Sequence, residues 1–303
     1  MNPIDWIILG IGAVATASVV ALSFHPGHHE WLTSHFAYRA GLVIPPQNEA
    51  AVGRLLGLRE RIVAVGAFLG AMAGWFASAP GYAGTDPDLQ YLFVVTGFLA
   101  GVAVAVAISS RVFAIAPDPD RALYARSMSV GLRDYSAGFE RNGTRMIVVL
   151  SVIALVTLVV VGGMADVPFT SFSTPVIPFV AAAVAGLALF EVRGRQIVSR
   201  GQRAASTSEL AFDDAFRARE IADLVTAPLM FGVFGLTFAI TELIVVVTGM
   251  PTDAVIRPLF LIVLAAAIVG GFVSRAIRPQ QYYLRRLWPR GLETVPASSF
   301  ENR

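Results

Sequence analysis

Cysteine and lysine are both missing from this 303-residue chain. Without cysteine there is no disulfide, no thiol nucleophile and no thiolate metal site. Without lysine there is no ammonium for a Schiff base and no P-loop lysine for a nucleotide phosphate, which excludes a retinal protein and a built-in P-loop ATPase. All 23 basic residues are therefore arginine. Charge of either sign is scarce as well. Charged residues make up 15% of the chain against 55% hydrophobic, and the mean hydropathy is +0.66. A chain so composed has a bilayer as its solvent.

What is present is a series of long apolar runs. A hydrocarbon core about 30 Å thick is crossed by roughly 20 mostly apolar helical residues. Seven runs meet that length, at about 5–23, 62–79, 91–109, 146–164, 174–190, 226–248 and 256–274. The expected fold class is all-α, a polytopic integral membrane protein forming a single membrane domain over 1–303. Pro175 and Pro178 open the fifth run, where proline is tolerated in a first helical turn. The segments 24–61, 110–145, 191–225 and 275–303 hold every arginine except Arg257. The intervening segments 80–90, 165–173 and 249–255 carry Asp86, Asp88, Asp166 and Asp253 and no arginine. Arginine is retained on the cytoplasmic side, so the amino terminus is expected outside and the carboxyl terminus in the cytoplasm of a multi-pass plasma-membrane protein. The first run is expected to stay attached, because no basic region precedes it. The arginine-bearing segments exceed ordinary loop lengths and are expected to be helical.

Small residues recur at helix-packing spacing: Gly66, Gly70 and Gly74 in one span, Gly97 and Gly101 in the next. Lipid tails give helices no hydrophobic reason to associate, so close approach through such residues supplies the attraction. Tight packing of neighbouring spans is expected here.

Within the membrane the one carboxylate that stands out is Glu242, in FAITELIVVV. An ionisable group at that depth is costly unless it is paired, protonated or wetted. Arg257 opens the next span across a short turn, and Thr241 adds a hydroxyl beside the carboxylate. Glu242, Arg257 and Thr241 are the candidates for a substrate or proton path; a structural Glu242–Arg257 pair sealing the hairpin is the other reading.

On the cytoplasmic side, STSELAFDDAFRARE (206–220) is the most charged stretch. Ser206 and Glu209 form a capping-box pattern, Asp213–Arg217 and Arg219–Asp223 stand at i,i+4, and so do Phe212 and Phe216. This predicts a capped, salt-bridged helix leading into a span. Its adjacent carboxylates also permit a magnesium–diphosphate site of the kind used by lipid-diphosphate enzymes, but the other loops supply no matching acidic segment. The order RGQRAAS then ELAFDDAFRAR ahead of one span, with LRDYSAGFERNGTR ahead of an earlier one, resembles uncharacterised multi-pass membrane proteins of actinobacteria, often encoded near transport ATPases and their regulators. The resemblance assigns no catalytic residue. It implies that the cytoplasmic helices dock a protein partner such as an ATPase, with Asp213, Asp214 and Arg217 as docking candidates.

All four histidines fall in FHPGHHEWLTSH (24–35). His25, His28 and His29 are the candidate metal ligands, converging through the Pro26-Gly27 turn; a pH-responsive element and interfacial trim around Trp31 are the other readings. The sequence names no cofactor. The expected function is a membrane transport component partnered by a separate ATPase, with a non-catalytic scaffold or regulatory protein as the alternative and a magnesium-dependent lipid-diphosphate enzyme behind both. Enzymatic activity is not the expectation. Expected partners are the bilayer, anionic lipid headgroups and a cytoplasmic protein, with no nucleic acid.

Overall fold

The computed structural model describes residues 3–42, 46–77, 90–109, 130–167, 174–200, 207–252, 254–259, 261–263, 265–266 and 281–289. Among these residues there is no β-strand. The helices are α1 (Pro3–Leu22), α2 (Pro26–Ala40), α3 (Pro46–Ala77), α4 (Gln90–Ser109), α5 (Leu132–Tyr135), α6 (Gly138–Met164), α7 (Val176–Ser199) and α8 (Thr207–Thr248). They are followed by a short apolar helix, α9 (Ala254–Val263), and by α10 (Tyr282–Leu287).

Among the described residues three helices are long and apolar enough to cross a membrane: Gly138–Met164, Val176–Ser199 and Leu210–Thr248. A fourth is reached if α1 and α2, bent by 86° at their junction, are taken as one broken span. This is the signature of a membrane protein. Helices α4 and α9 add the shorter apolar stretches Phe93–Ser109 and Ala254–Val263. Residues 260, 264 and 267–274 of the seventh run lie outside the described residues. The loop carboxylates Asp86, Asp88 and Asp253, Ser206 and the Glu209 side chain lie outside the described residues.

The long helices merge what the sequence divides. Helix α8 carries both the charged stretch before residue 226 and the apolar span after it, without a break. At 1.5 Å per residue its 42 residues extend about 63 Å, roughly twice the thickness of a hydrocarbon core. It is the central helix and packs against α4, α6 and α7. One apolar cluster surrounds its first half, with Phe36, Val52, Tyr135, Phe190, Phe212, Phe216, Ile221 and Tyr283. A second surrounds its last third, with Leu158, Val176, Val180, Phe234, Phe238 and Ile256. Pro178 falls in the first turn of α7 and Pro175 caps it, where neither ring costs a helical hydrogen bond.

Helices α3 and α4 meet through their glycines. A Cβ on Gly70 would collide with the Gly97 carbonyl oxygen, one on Gly74 with that of Phe93, and one on Gly101 with that of Gly66. The two backbones therefore touch directly, as the small-residue spacing predicts. A similar device holds α2 against α3. Ideal Cβ atoms on Gly53 and Gly57 would lie 2.9 Å from the His29 Cβ and 2.8 Å from its Nε2. Helix α2 ends at Gly41, whose φ of 69° is the left-handed cap conformation that glycine adopts without penalty.

Candidate functional site

The first half of α8 collects the charged groups. Asp213 and Arg217 pair at 2.8 Å, Arg219 and Asp223 at 3.4 Å, and the Phe212 and Phe216 rings meet edge to face at 4.8 Å, all at the i,i+4 spacing read from the sequence. The longer-range partners are new. Asp214 is fully buried, and it accepts hydrogen bonds from the Tyr135 hydroxyl at 2.8 Å and the Trp288 indole N–H at 2.9 Å. Asp223 receives the Arg59 guanidinium through both of its oxygens, at 3.0 and 2.9 Å. That planar fork matches a carboxylate and ties α3 to α8.

Arg217 does more than pair with Asp213. Its Nη1 donates to the carbonyls of Ile197, Val198 and Arg200 at 3.2, 3.4 and 2.9 Å. These belong to the last turn of α7, where helical carbonyls have no partner within their own helix and a cation complements the dipole. Arg217 is thus the cap that joins α7 to α8. Glu220, also buried, faces Arg200 at 3.6 Å. Burial pushes its carboxyl up to about 7, outweighing the pull of Arg200 and Arg217; nearby Asp213 and Asp223 push the same way.

Two further contacts close this end of the molecule. The Tyr283 hydroxyl donates to the Ala40 carbonyl at 3.1 Å, and Arg286 lies 3.6 Å from Asp134. Burial and the neighbouring Asp214 carboxylate raise the Tyr283 phenol above its ordinary range, so it stays a donor. On the adjoining face Arg145 forms an ion pair with Glu191, bridging α6 and α7. The result is a platform in which α2, α3, α5, α7 and α10 are all fastened to α8. Of the docking candidates, Asp214 and Arg217 are buried in its interior and Asp213 lies nearer the surface.

Glu242 sits toward the opposite end of α8, 2% exposed, in the region of the second apolar cluster. Its Oε1 accepts the backbone N–H of Thr174 at 2.7 Å, so it ties α8 to the residue just ahead of α7. Thr237 and Thr241 spend their hydroxyls on the carbonyls of Val233 and Thr237, one turn back. Arg257 lies exposed on α9, next to Ile256, which is buried in the same apolar cluster as Phe234 and Phe238. The Thr174 hydroxyl is itself buried without a hydrogen-bond partner.

The histidines are drawn apart. His28 Nε2 lies 2.6 Å from Glu60 Oε2, whereas His29 Nε2 lies 2.7 Å from the Ser23 carbonyl. A carbonyl can only accept, which fixes the proton on His29 Nε2 and leaves that nitrogen no lone pair for a metal. His28, Trp31 and His35 stack face to face along α2, with centroids 5.6 and 5.3 Å apart. Among the described residues no three His, Asp or Glu side chains converge in a way that holds a metal ion. His28 and His29 thus face different partners, as do Asp213 and Asp214.

No family model, no curated protein and no solved structure matches the chain. Sequence spacing showed the local pairs of the platform and missed its long-range ones. Tyr135 and Trp288 lie 79 and 74 residues from Asp214 in the sequence, and no periodicity links them. Gly53 and Gly57 had a legible signal, a four-residue spacing like that of Gly66 and Gly70.

Proposed function

We propose that the chain is a seven-span plasma-membrane protein, amino terminus outside and carboxyl terminus cytoplasmic, that acts as a non-catalytic scaffold or regulatory subunit and presents its platform to a cytoplasmic protein partner. The observation that carries this reading is the use of charge. The buried acids and arginines of α8 are spent on fastening one helix to another, while exposed arginines, among them Arg133 and Arg195, stud the outside of the platform. A surface of that sign suits an acidic protein face. Few ionisable groups lie inside the apolar spans, whereas a carrier for a polar solute ordinarily needs several near its midplane. The resemblance to actinobacterial membrane proteins supports the same placement beside a transport ATPase.

The test is co-purification in mild detergent with the double charge reversal Arg133→Glu, Arg195→Glu as the comparison. A stoichiometric cytoplasmic protein that binds the wild type and is lost from the variant is expected. Purification of the wild type alone, under conditions where it stays folded, would overturn the reading.

Glu242 favours a second reading, a membrane component of the transport assembly itself. A buried carboxylate in a span is costly to maintain, and it is kept here against a backbone N–H and beside Thr241. If it belongs to a substrate or proton path, Glu242→Gln leaves the fold intact and abolishes flux. Unchanged function with a lowered melting temperature would identify it as a structural tie.

A further inference from the structure

The face formed by α3 and α4 carries an open groove of about 790 Å³. That volume lies within the roughly 300–1,000 Å³ typical of sites for small molecules. Its floor is the glycine contact, Gly66, Gly70, Gly97 and Gly101, where the helices approach so closely that no side chain fills the seam. Its rims are Val65, Leu69, Val104 and Ile108, all large apolar side chains 43 to 59% exposed. Pro175 and Phe179 close one end. At the other end stands Arg61.

Arg61 differs from its neighbour Arg59. Arg59 gives its guanidinium to Asp223, but Arg61 forms no ion pair with any described residue. Its Nε donates to the Gly57 carbonyl at 3.3 Å, and the guanidinium carbon lies 4.1 Å over the centre of the exposed Phe24 ring. The cation is therefore oriented and partly shielded, and among the described residues no ion pair occupies its two terminal nitrogens. An apolar trough about 18 Å long, from Arg61 to Ala73 along a helix rising 1.5 Å per residue, ends at one such charge.

We propose that this groove is a binding site for one anionic phospholipid, its acyl chain in the glycine-floored trough and its phosphate on Arg61 at the inner leaflet. The two ends of the groove match the two ends of that molecule. A neutral lipid fills the trough equally well but gains nothing at Arg61, so the site discriminates by headgroup charge. A single basic contact near an anionic headgroup corresponds to a preference of about fivefold. Placement at the inner leaflet rests on the orientation proposed above, but the headgroup preference requires no cytoplasmic partner, so it and the scaffold reading fail independently.

The test uses the full chain in mild detergent, supplied with equal amounts of phosphatidylglycerol and phosphatidylcholine, with bound lipid counted by native mass spectrometry. The wild type should retain phosphatidylglycerol about fivefold over phosphatidylcholine. Arg61→Gln should bring the ratio to about one without reducing total lipid, because the trough is untouched. Ala73→Phe, which places a ring in the open groove, should reduce retention of both lipids while leaving the helical circular dichroism spectrum unchanged. Equal retention of both lipids by the wild type, or a preference that survives Arg61→Gln, overturns the proposal. So does a wild-type dimer that Ala73→Phe converts to a monomer, since the groove would then be filled by a second copy of the chain.

Discussion

At the scale of single residues, the platform depends on a few buried charges whose partners are far away in sequence. Asp214 satisfies two neutral donors, Tyr135 and Trp288, and each hydrogen bond to a charged group is worth about 1.5–3 kcal/mol. Asp214→Ala removes the acceptor that these two side chains share. We expect a loss of about 3 kcal/mol or more, read as a lower melting temperature together with a shift in tryptophan emission as the Trp288 indole is released. Asp214→Asn, which keeps an acceptor, should lose less. Glu220 gives a pH signature. Its carboxyl titrates near 7 in the folded protein against 4.5 ordinarily, so its contribution to stability is full below about 4.5 and is lost as the pH rises through about 7. Glu220→Gln removes that loss. The variant's melting temperature relative to wild type should therefore rise between pH 5 and pH 8, and a difference that stays constant with pH would contradict the assignment. The sequence displayed Asp213–Arg217 and Arg219–Asp223 because helical spacing alone brings them together. It hid the role of Arg217 as the cap of α7, which depends on a fold that returns residues 197–200 to the side of α8.

At the scale of elements, the contrast between two kinds of glycine is testable. Gly70 faces the Gly97 carbonyl with no room for a methyl group, whereas Gly143 on α6 has nothing within 4 Å of where a Cβ would stand. Gly70→Ala must push α3 from α4 and should destabilise the protein, with a lowered melting temperature. Gly143→Ala only removes backbone freedom and should stabilise by about 0.5–1 kcal/mol. The same sign for both would show that the glycine seam does not hold these helices. Legibility followed the same division. The α3–α4 contact was readable from GxxxG spacing, because small residues in apolar runs have few other uses. The turn between α1 and α2 was marked by Pro26-Gly27, but its 86° angle and the packing of His29 against Gly53 and Gly57 of α3 were not. Helix lengths were also misjudged: charge density divided α8 into a segment and a span, although salt bridges and capping contacts let one helix run through both.

At the scale of the molecule, 55% hydrophobic residues gathered into long runs were enough to indicate the helices, long and apolar enough to cross a membrane, that the described residues show. Docking of a cytoplasmic partner requires that the charged platform face the cytoplasm and the Asp166 turn face outside. The absence of cysteine makes that orientation directly testable, because any introduced thiol is the only one present. Ala165 and Gln196 are both exposed, the first in the turn after α6 and the second near the platform end of α7. With a membrane-impermeant maleimide, Ala165→Cys should be labelled in intact cells and Gln196→Cys only after permeabilisation. Labelling of Gln196→Cys in intact cells, or of Ala165→Cys only after permeabilisation, would contradict the orientation and the partner-docking function built on it.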